Sequence, residues 1–316
     1  MVYRLMVKVN EIPKAIRNPK NAVSVAKSRF NFTVGKILFK NTAGLEANLE
    51  GRKTRKMMEK YHKRNSTRNP KIIEFQKIGC IKLGIPFDNQ LLQKVIEKYN
   101  QMIEDDKYSF VRSEYKGKVY SRMINRAHKQ IPELKKMITE ELLQMFEEHF
   151  RGNFQIVYTA MWRNYHVPSE IQAEKEIFSS GWHCDGSNTE EITLFINLSD
   201  VKEDDGPLHI QTKERTKELV KLGFKTRREP GLPLNVLEDP NYVIKHTGPP
   251  GSTVLANSSI CMHKAGIPQS SHIRDIMQFR IQPSIEPLKE NWPELCEDSL
   301  SEVRYDEANV KNRSIT

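Results

Sequence analysis

The sequence is poor in cysteine, in long apolar runs and in the glycine-rich signatures of nucleotide binding. Its four cysteines (Cys80, Cys184, Cys261, Cys296) are widely spaced, with no CxxC pair. A disulfide framework or a zinc knuckle is therefore not expected, and a reducing cytoplasm is the simpler setting. No stretch of about eighteen or more apolar residues occurs, which excludes a membrane-spanning helix. Met1–Asn10 lacks the apolar core and small-residue cleavage site of a signal peptide. There is no GxGxxG or Walker pattern, so nucleotide-cofactor chemistry is unsupported. Ser258-Ser259 is not set in a GxSxG elbow, which disfavours a hydrolase. Internal repeats and low-complexity segments are also missing.

Acidic residues are scarce in one region only. Residues 1–68 carry 17 Lys/Arg against 4 Asp/Glu, an excess of 13, whereas the remaining 248 residues carry 33 against 36. A basic head is thus joined to a near-neutral body. Such a head suits an anionic membrane surface, nucleic acid or plain solvent, and no specific nucleic-acid motif accompanies it. A cytoplasmic protein, peripheral to the inner membrane face if the head meets lipid, is the expectation. With 316 residues, 38% hydrophobic and 28% charged, the chain suits one large domain, or one domain plus an extension.

Within the head, Arg52–Arg64 reads as a helix with a cationic face, and Asn65–Pro70 as a linker. Phe75–Gly84 alternates as a short strand, with Pro86 and Asp88 as a turn and helix N-cap. Residues 89–104 (Leu91, Leu92, Val95, Ile96, Tyr99, Ile103) and 133–150 (Leu134, Met137, Ile138, Leu142, Met145, Phe146) show helical spacing and read as core. After Phe150 the texture becomes short β runs, near 154–164, 181–185, 191–198, 207–211, 242–246, 252–256, 260–264 and 273–282. The expected fold is mainly β: a jelly roll, or double-stranded β-helix, starting at about residue 154 and preceded by two supporting helices. The expected division is a basic extension over 1–70, a domain over 71–290 and a tail over 291–316.

Trp182-His183-Cys184-Asp185-Gly186 places a histidine and an aspartate two apart. On a strand, positions i and i+2 share a face, so imidazole and carboxylate can grip one ion together. Much later comes Ile260-Cys-Met-His263, and eleven residues on, Arg274 opens another strand. Two histidines and one carboxylate on one side of an octahedral ion leave three positions open, the facial triad of non-haem iron(II) oxygenases. A 2-oxo acid can chelate at two of them and dioxygen can take the third. The far carboxylate of 2-oxoglutarate then needs a cation, for which the planar fork of Arg274 is suited.

Over roughly residues 75–284 the chain resembles the phytanoyl-CoA dioxygenase-like family of iron(II)/2-oxoglutarate oxygenases. The matching features are the strand-plus-helix entry at Phe75–Asp105, the Trp-His-x-Asp segment, Asp205-Gly-Pro-Leu208, His263 and Arg274. The resemblance implies iron(II) on His183, Asp185 and His263, and 2-oxoglutarate anchored by Arg274, with Asn164 and Thr193 as polar contacts to that co-substrate. It also implies oxidation of an unactivated C–H bond in a small-molecule, lipid or sugar-type substrate by dioxygen, releasing succinate and carbon dioxide. Asp185 is kept where related halogenases carry a small residue, so hydroxylation or a related oxidation is favoured. Two departures stand out. Leu208–Arg215 replaces the family's Pro-Gly-Ser-His turn, and residues 1–70 have no counterpart.

Blander readings remain open from sequence alone. His183 and Asp185 can be a hydrogen-bonded pair in a degenerate jelly roll that binds no metal, its basic head contacting membrane or nucleic acid. Arg274 can pair with Asp275. His166, His209, His246 and His272 read as surface or supporting residues. Cys184 should point away from the metal by strand alternation, and Trp182 should pack. Residues 165–180 and 212–241 are candidates for a lid.

Overall fold

A computed structural model describes residues 19–61, 69–288 and Trp292. The expected linker at 65–68, the end of the 52–64 helix, the tail apart from Trp292, and Cys296 lie outside the described residues. Two helices, α1 (Pro19–Phe39) and α2 (Leu45–Tyr61), come first, followed by α3 (Pro70–Ile78), β1 (Cys80–Gly84) and α4 (Asn89–Met102). The hairpin β2 (Phe110–Tyr115) and β3 (Lys118–Asn125) precedes α5 (Glu140–Phe150) and the long strand β4 (Phe154–Tyr165). Then come β5 (Ile192–Asn197), β6 (Leu208–Gln211), α6 (Lys213–Lys221), β7 (Val243–His246), β8 (Thr253–Ala256), β9 (His263–Ala265) and β10 (Ile273–Pro283).

The strands form an antiparallel seven-stranded sheet in the order β1-β8-β5-β10-β4-β3-β2 and a three-stranded sheet in the order β7-β6-β9. The sheets face each other across an inner layer of Met123, Trp162, Phe195, Leu208, Ile210 and Ile276. This is the two-sheet jelly roll expected from the short β runs. The outer face of the larger sheet (Ile192, Leu194, Met277, Phe279, Ile281) packs on Phe75, Leu92, Val95, Tyr99, Leu142 and Phe146 of the helices. Burying that apolar face is the main source of stability. Because side chains alternate along β10, the same strand turns Arg274, Ile276, Gln278 and Arg280 inward.

Several sequence expectations need correction. Phe75–Ile78 is helix, with the strand confined to Cys80–Gly84. The local signals are complete: Asn69 caps the Lys71 N–H, Pro70 takes the first turn, and Gly79 closes α3 at φ 85°. Asn69 and Pro70 therefore start a helix and do not extend a linker. Residues 133–150 are two pieces, a 3-10 segment Pro132–Met137 and α5, divided where Thr139 caps a new helix. Residues 181–185 form no ladder strand, only an isolated bridge between His183 and His263. The hairpin β2–β3 was not anticipated from the sequence. It turns at Lys116-Gly117, both with positive φ, as a two-residue hairpin loop requires.

The α1–α2 pair is fastened to the jelly roll. Ala43 and Ala47 pack with Trp182, Cys184, Leu219 and Phe224. Thr42 Oγ1 accepts the Cys184 N–H at 2.7 Å, and Asn188 Nδ2 donates to Thr54 Oγ1 at 2.7 Å. A Cβ at Gly51 would collide with Thr189 Oγ1, so glycine lets α2 lie this close.

Candidate metal centre

His183 and His263 face each other across two backbone hydrogen bonds, His183 N–H to His263 O at 3.0 Å and the reverse at 2.8 Å. Directly opposed residues in an antiparallel bridge project to the same side, so both rings point one way, their centroids 4.4 Å apart. Asp185, two residues on, joins them, its N–H held by Ser258 O at 2.9 Å. Its Oδ1 lies 3.6 Å from His183 Nε2 and 3.7 Å from His263 Nε2. The three ligand atoms all lie within 4.8 Å of one another.

The imidazoles are oriented from behind. His183 Nδ1 meets Gly181 O at 2.9 Å and His263 Nδ1 meets Cys261 O at 3.2 Å. A carbonyl can only accept, so each Nδ1 carries a proton, which leaves each Nε2 as the ring atom available to ligate. Burial, with His183 alongside, pushes His263 down to about 4, so it is neutral at pH 7. Burial opposes the charge on Asp185, but His263, His183 and Arg280 outweigh it and hold the carboxyl well below the usual carboxylate range. Two imidazole nitrogens and one carboxylate oxygen converging on one point form a donor set that fits a first-row divalent ion.

The triad opens onto a cavity of about 580 Å³ between the two sheets. Arg274 forms part of its wall. Its Nη1 donates to Gly206 O at 2.5 Å and its Nε has no partner. No carboxylate pairs with it among the described residues. Burial, with Arg112 near it, pushes the guanidinium down to about 9, so it is still charged at neutral pH. The Asp275 alternative is closed, because that carboxylate projects from the other face of the sheet and pairs with Arg163 at 2.8 Å. A buried cation without a carboxylate partner, in the wall of a cavity, is a ready receptor for a ligand carboxylate.

The structure gathers His183, Asp185, His263 and Arg274 around one cavity. Asn164 and Thr193 are buried and do not line it. Asn164 lies beside Arg274 in register, accepts a hydrogen bond from Ser121 at 2.8 Å and leaves its Nδ2 unpartnered. Thr193 Oγ1 meets Ser258 Oγ at 3.2 Å. His209 Nδ1 lies 3.3 Å from Glu238, outside the cavity. Trp182 packs with Phe224 and Leu237 and donates to Glu238 at 2.9 Å, while Cys184 is buried on the side away from the triad. From the 165–180 segment only Phe178 and Ser179 reach the cavity wall, both with positive φ (37° and 65°), a costly state for such residues.

Sequence reasoning passed over Arg112, Gln278 and Arg280 as cavity residues. Gln278 and Arg280 are in phase with Arg274 on one strand, so period-two counting finds them. Arg112 sits on the unanticipated strand β2, its guanidinium 5.2 Å from the centre of the Trp162 ring. The Lys-Gly turn was the signal for that strand.

No protein-family model matches the chain, and no curated protein matches it in sequence. Solved structures do. EctD from S. alaskensis, solved with bound Fe, superposes with a TM-score of 0.52 at 13% identity, covering 70% of this chain and 79% of that one. EctD solved with 2-oxoglutarate and 5-hydroxyectoine gives a TM-score of 0.52 at 12% identity, covering 73% and 81%. The fold is shared.

Proposed function

We propose that the chain is an iron(II)- and 2-oxoglutarate-dependent dioxygenase of the phytanoyl-CoA dioxygenase-like kind, hydroxylating or otherwise oxidising an unactivated C–H bond of a small-molecule substrate. One observation carries this reading: a single cavity holds, on its walls, the converging His183, Asp185 and His263 donors and the uncompensated charge of Arg274. Support comes from the shared fold with EctD, whose structures are described with iron and with 2-oxoglutarate.

His183, Asp185 and His263 would hold the iron, with Gly181 O and Cys261 O fixing the two rings in the Nε2-ligating tautomer. Iron there would supply the reaction of dioxygen with 2-oxoglutarate that yields succinate, carbon dioxide and the oxidising power for the C–H bond. Arg274 would bind the far carboxylate of 2-oxoglutarate, steadied by Gly206 O. Tyr158, Trp162, Phe178 and Phe195 supply apolar wall, while Arg112 and Gln278 supply polar contacts. The cavity volume suits a small organic substrate.

The test is anaerobic. Iron(II) and then 2-oxoglutarate are added to the full chain, and the weak visible charge-transfer band of the chelate is recorded. The band should vanish in His183→Ala and need far more 2-oxoglutarate in Arg274→Ala. A folded wild-type protein that shows no band would sink the assignment and leave a jelly-roll binding module.

A further inference from the structure

Helix α1 holds large apolar side chains in solvent without a strongly amphipathic pattern. Its inward side meets the body: Lys36 Nζ donates to Phe224 O at 2.9 Å, and Asn31 Oδ1 accepts the Glu46 N–H at 2.7 Å. Val23, Phe30 and Ile37, spaced i, i+7, i+14, share one face, with Leu38 on the neighbouring one. They are 70%, 63%, 58% and 62% exposed. A surface helix of a globular protein normally buries such a stripe. Large apolar side chains exposed in such number on one helix point to something that covers them.

We infer that α1 docks the protein on an anionic lipid bilayer, independently of any reaction in the cavity. Charge selects the occupant. Residues 1–68 carry an excess of 13 positive charges, and on α2 the exposed Lys53, Lys56 and Lys60 follow the exposed Leu49 at helical spacing. A second copy of the chain would bring two such heads together against their repulsion. A nucleic acid would satisfy the lysines and stack on Phe30, but aliphatic Val23, Ile37 and Leu38 offer it neither stacking nor hydrogen bonds. An anionic bilayer uses both features, with the apolar stripe in the acyl boundary and the lysines among the headgroups. No described helix is long and apolar enough to cross a membrane, so α1 would lie along the surface.

The experiment is co-sedimentation of the full chain with phosphatidylcholine vesicles, with and without phosphatidylglycerol. Binding should favour the anionic vesicles by at least about tenfold, and the preference should disappear in about 1 M salt, where the Debye length is roughly 3 Å. Phe30→Ser with Ile37→Ser should cut binding by at least about tenfold, as expected for even one apolar side chain withdrawn from the acyl region. Circular dichroism and iron(II) binding should be unchanged in that variant, which separates lost docking from lost fold. Equal binding to both vesicle types, or an unaffected double variant, would overturn the proposal. So would a dimer in sedimentation velocity that the double variant dissolves, or tight DNA binding insensitive to the serines.

Discussion

Arg274 and Asp275 are neighbours in β10, both buried, and they project to opposite faces of the larger sheet. On the outer face Asp275 is fully answered: Arg163 Nε and Nη2 each donate at 2.8 Å, and Tyr99 Oη donates at 2.7 Å. On the inner face Arg274 has Gly206 O and an idle Nε. Near it lie other unpartnered polar atoms, Asn164 Nδ2 in the adjoining strand and Asn197 Oδ1 on β5. The outer face is built to be complete without a ligand. The inner face leaves a charge waiting for one, and a protein keeps such a cost where binding requires it.

The sharpest test of that contrast is Asp275→Asn. It leaves Arg163 with one carboxylate partner, the exposed Glu104, and removes the ionic partner of a buried pair. Breaking such a pair from one side should cost about 4 kcal/mol of stability, read from urea unfolding of the apo protein. A loss below about 1 kcal/mol would mean that the pair is as well solvated as a surface bridge.

Arg274→Met should behave in the opposite way. Replacing an uncompensated buried cation with an apolar side chain of similar length should leave the apo protein as stable, or more stable by about 1 kcal/mol. Affinity for 2-oxoglutarate should fall about a hundredfold, or about 3 kcal/mol, as expected for a lost charge-assisted contact in a dry site. If Arg274→Met unfolds the protein as readily as Asp275→Asn does, the distinction between the two faces fails.

The two faces also differ in how far the sequence reveals them. Strand alternation is local, so Arg274 inward and Asp275 outward follow once β10 is recognised, and His183 with Asp185 follows from the same i, i+2 rule. That His183 lies opposite His263, eighty residues away, depends on a bridge that no local pattern encodes. Helix α3 was misread because Phe75 to Leu83 can be counted with either period, although Asn69, Pro70 and Gly79 mark both helix ends. The hairpin that supplies Arg112 is mostly half-exposed and carries no clean alternation. Its only sharp signal was the Lys-Gly turn. Partnership across space, such as Thr42 holding the Cys184 N–H, is invisible to spacing.

The smallest expected effect is a pH dependence on the inner face. His246 is buried on β7 opposite Leu208, with no partner for its Nε2. Burial, then Lys82 and Arg274, push its imidazole from the ordinary 6.5 down to about 3. In the unfolded chain it would take up a proton below about pH 6.5, whereas the folded protein keeps it neutral. The unfolded state then binds more protons, so stability is present above that pH and is lost as the pH falls toward about 3. At pH 5 the loss from this one group should be about 2 kcal/mol relative to pH 7, a slope of about 1.4 kcal/mol per pH unit. His246→Leu should remove that part of the slope and leave the contributions of other buried histidines, such as His128, in place. Urea unfolding of both proteins at pH 7 and pH 5 decides the matter. Parallel losses in the two would mean that His246 finds water or a proton in the native state, and that the inner face is wetter around Arg274 than its packing indicates.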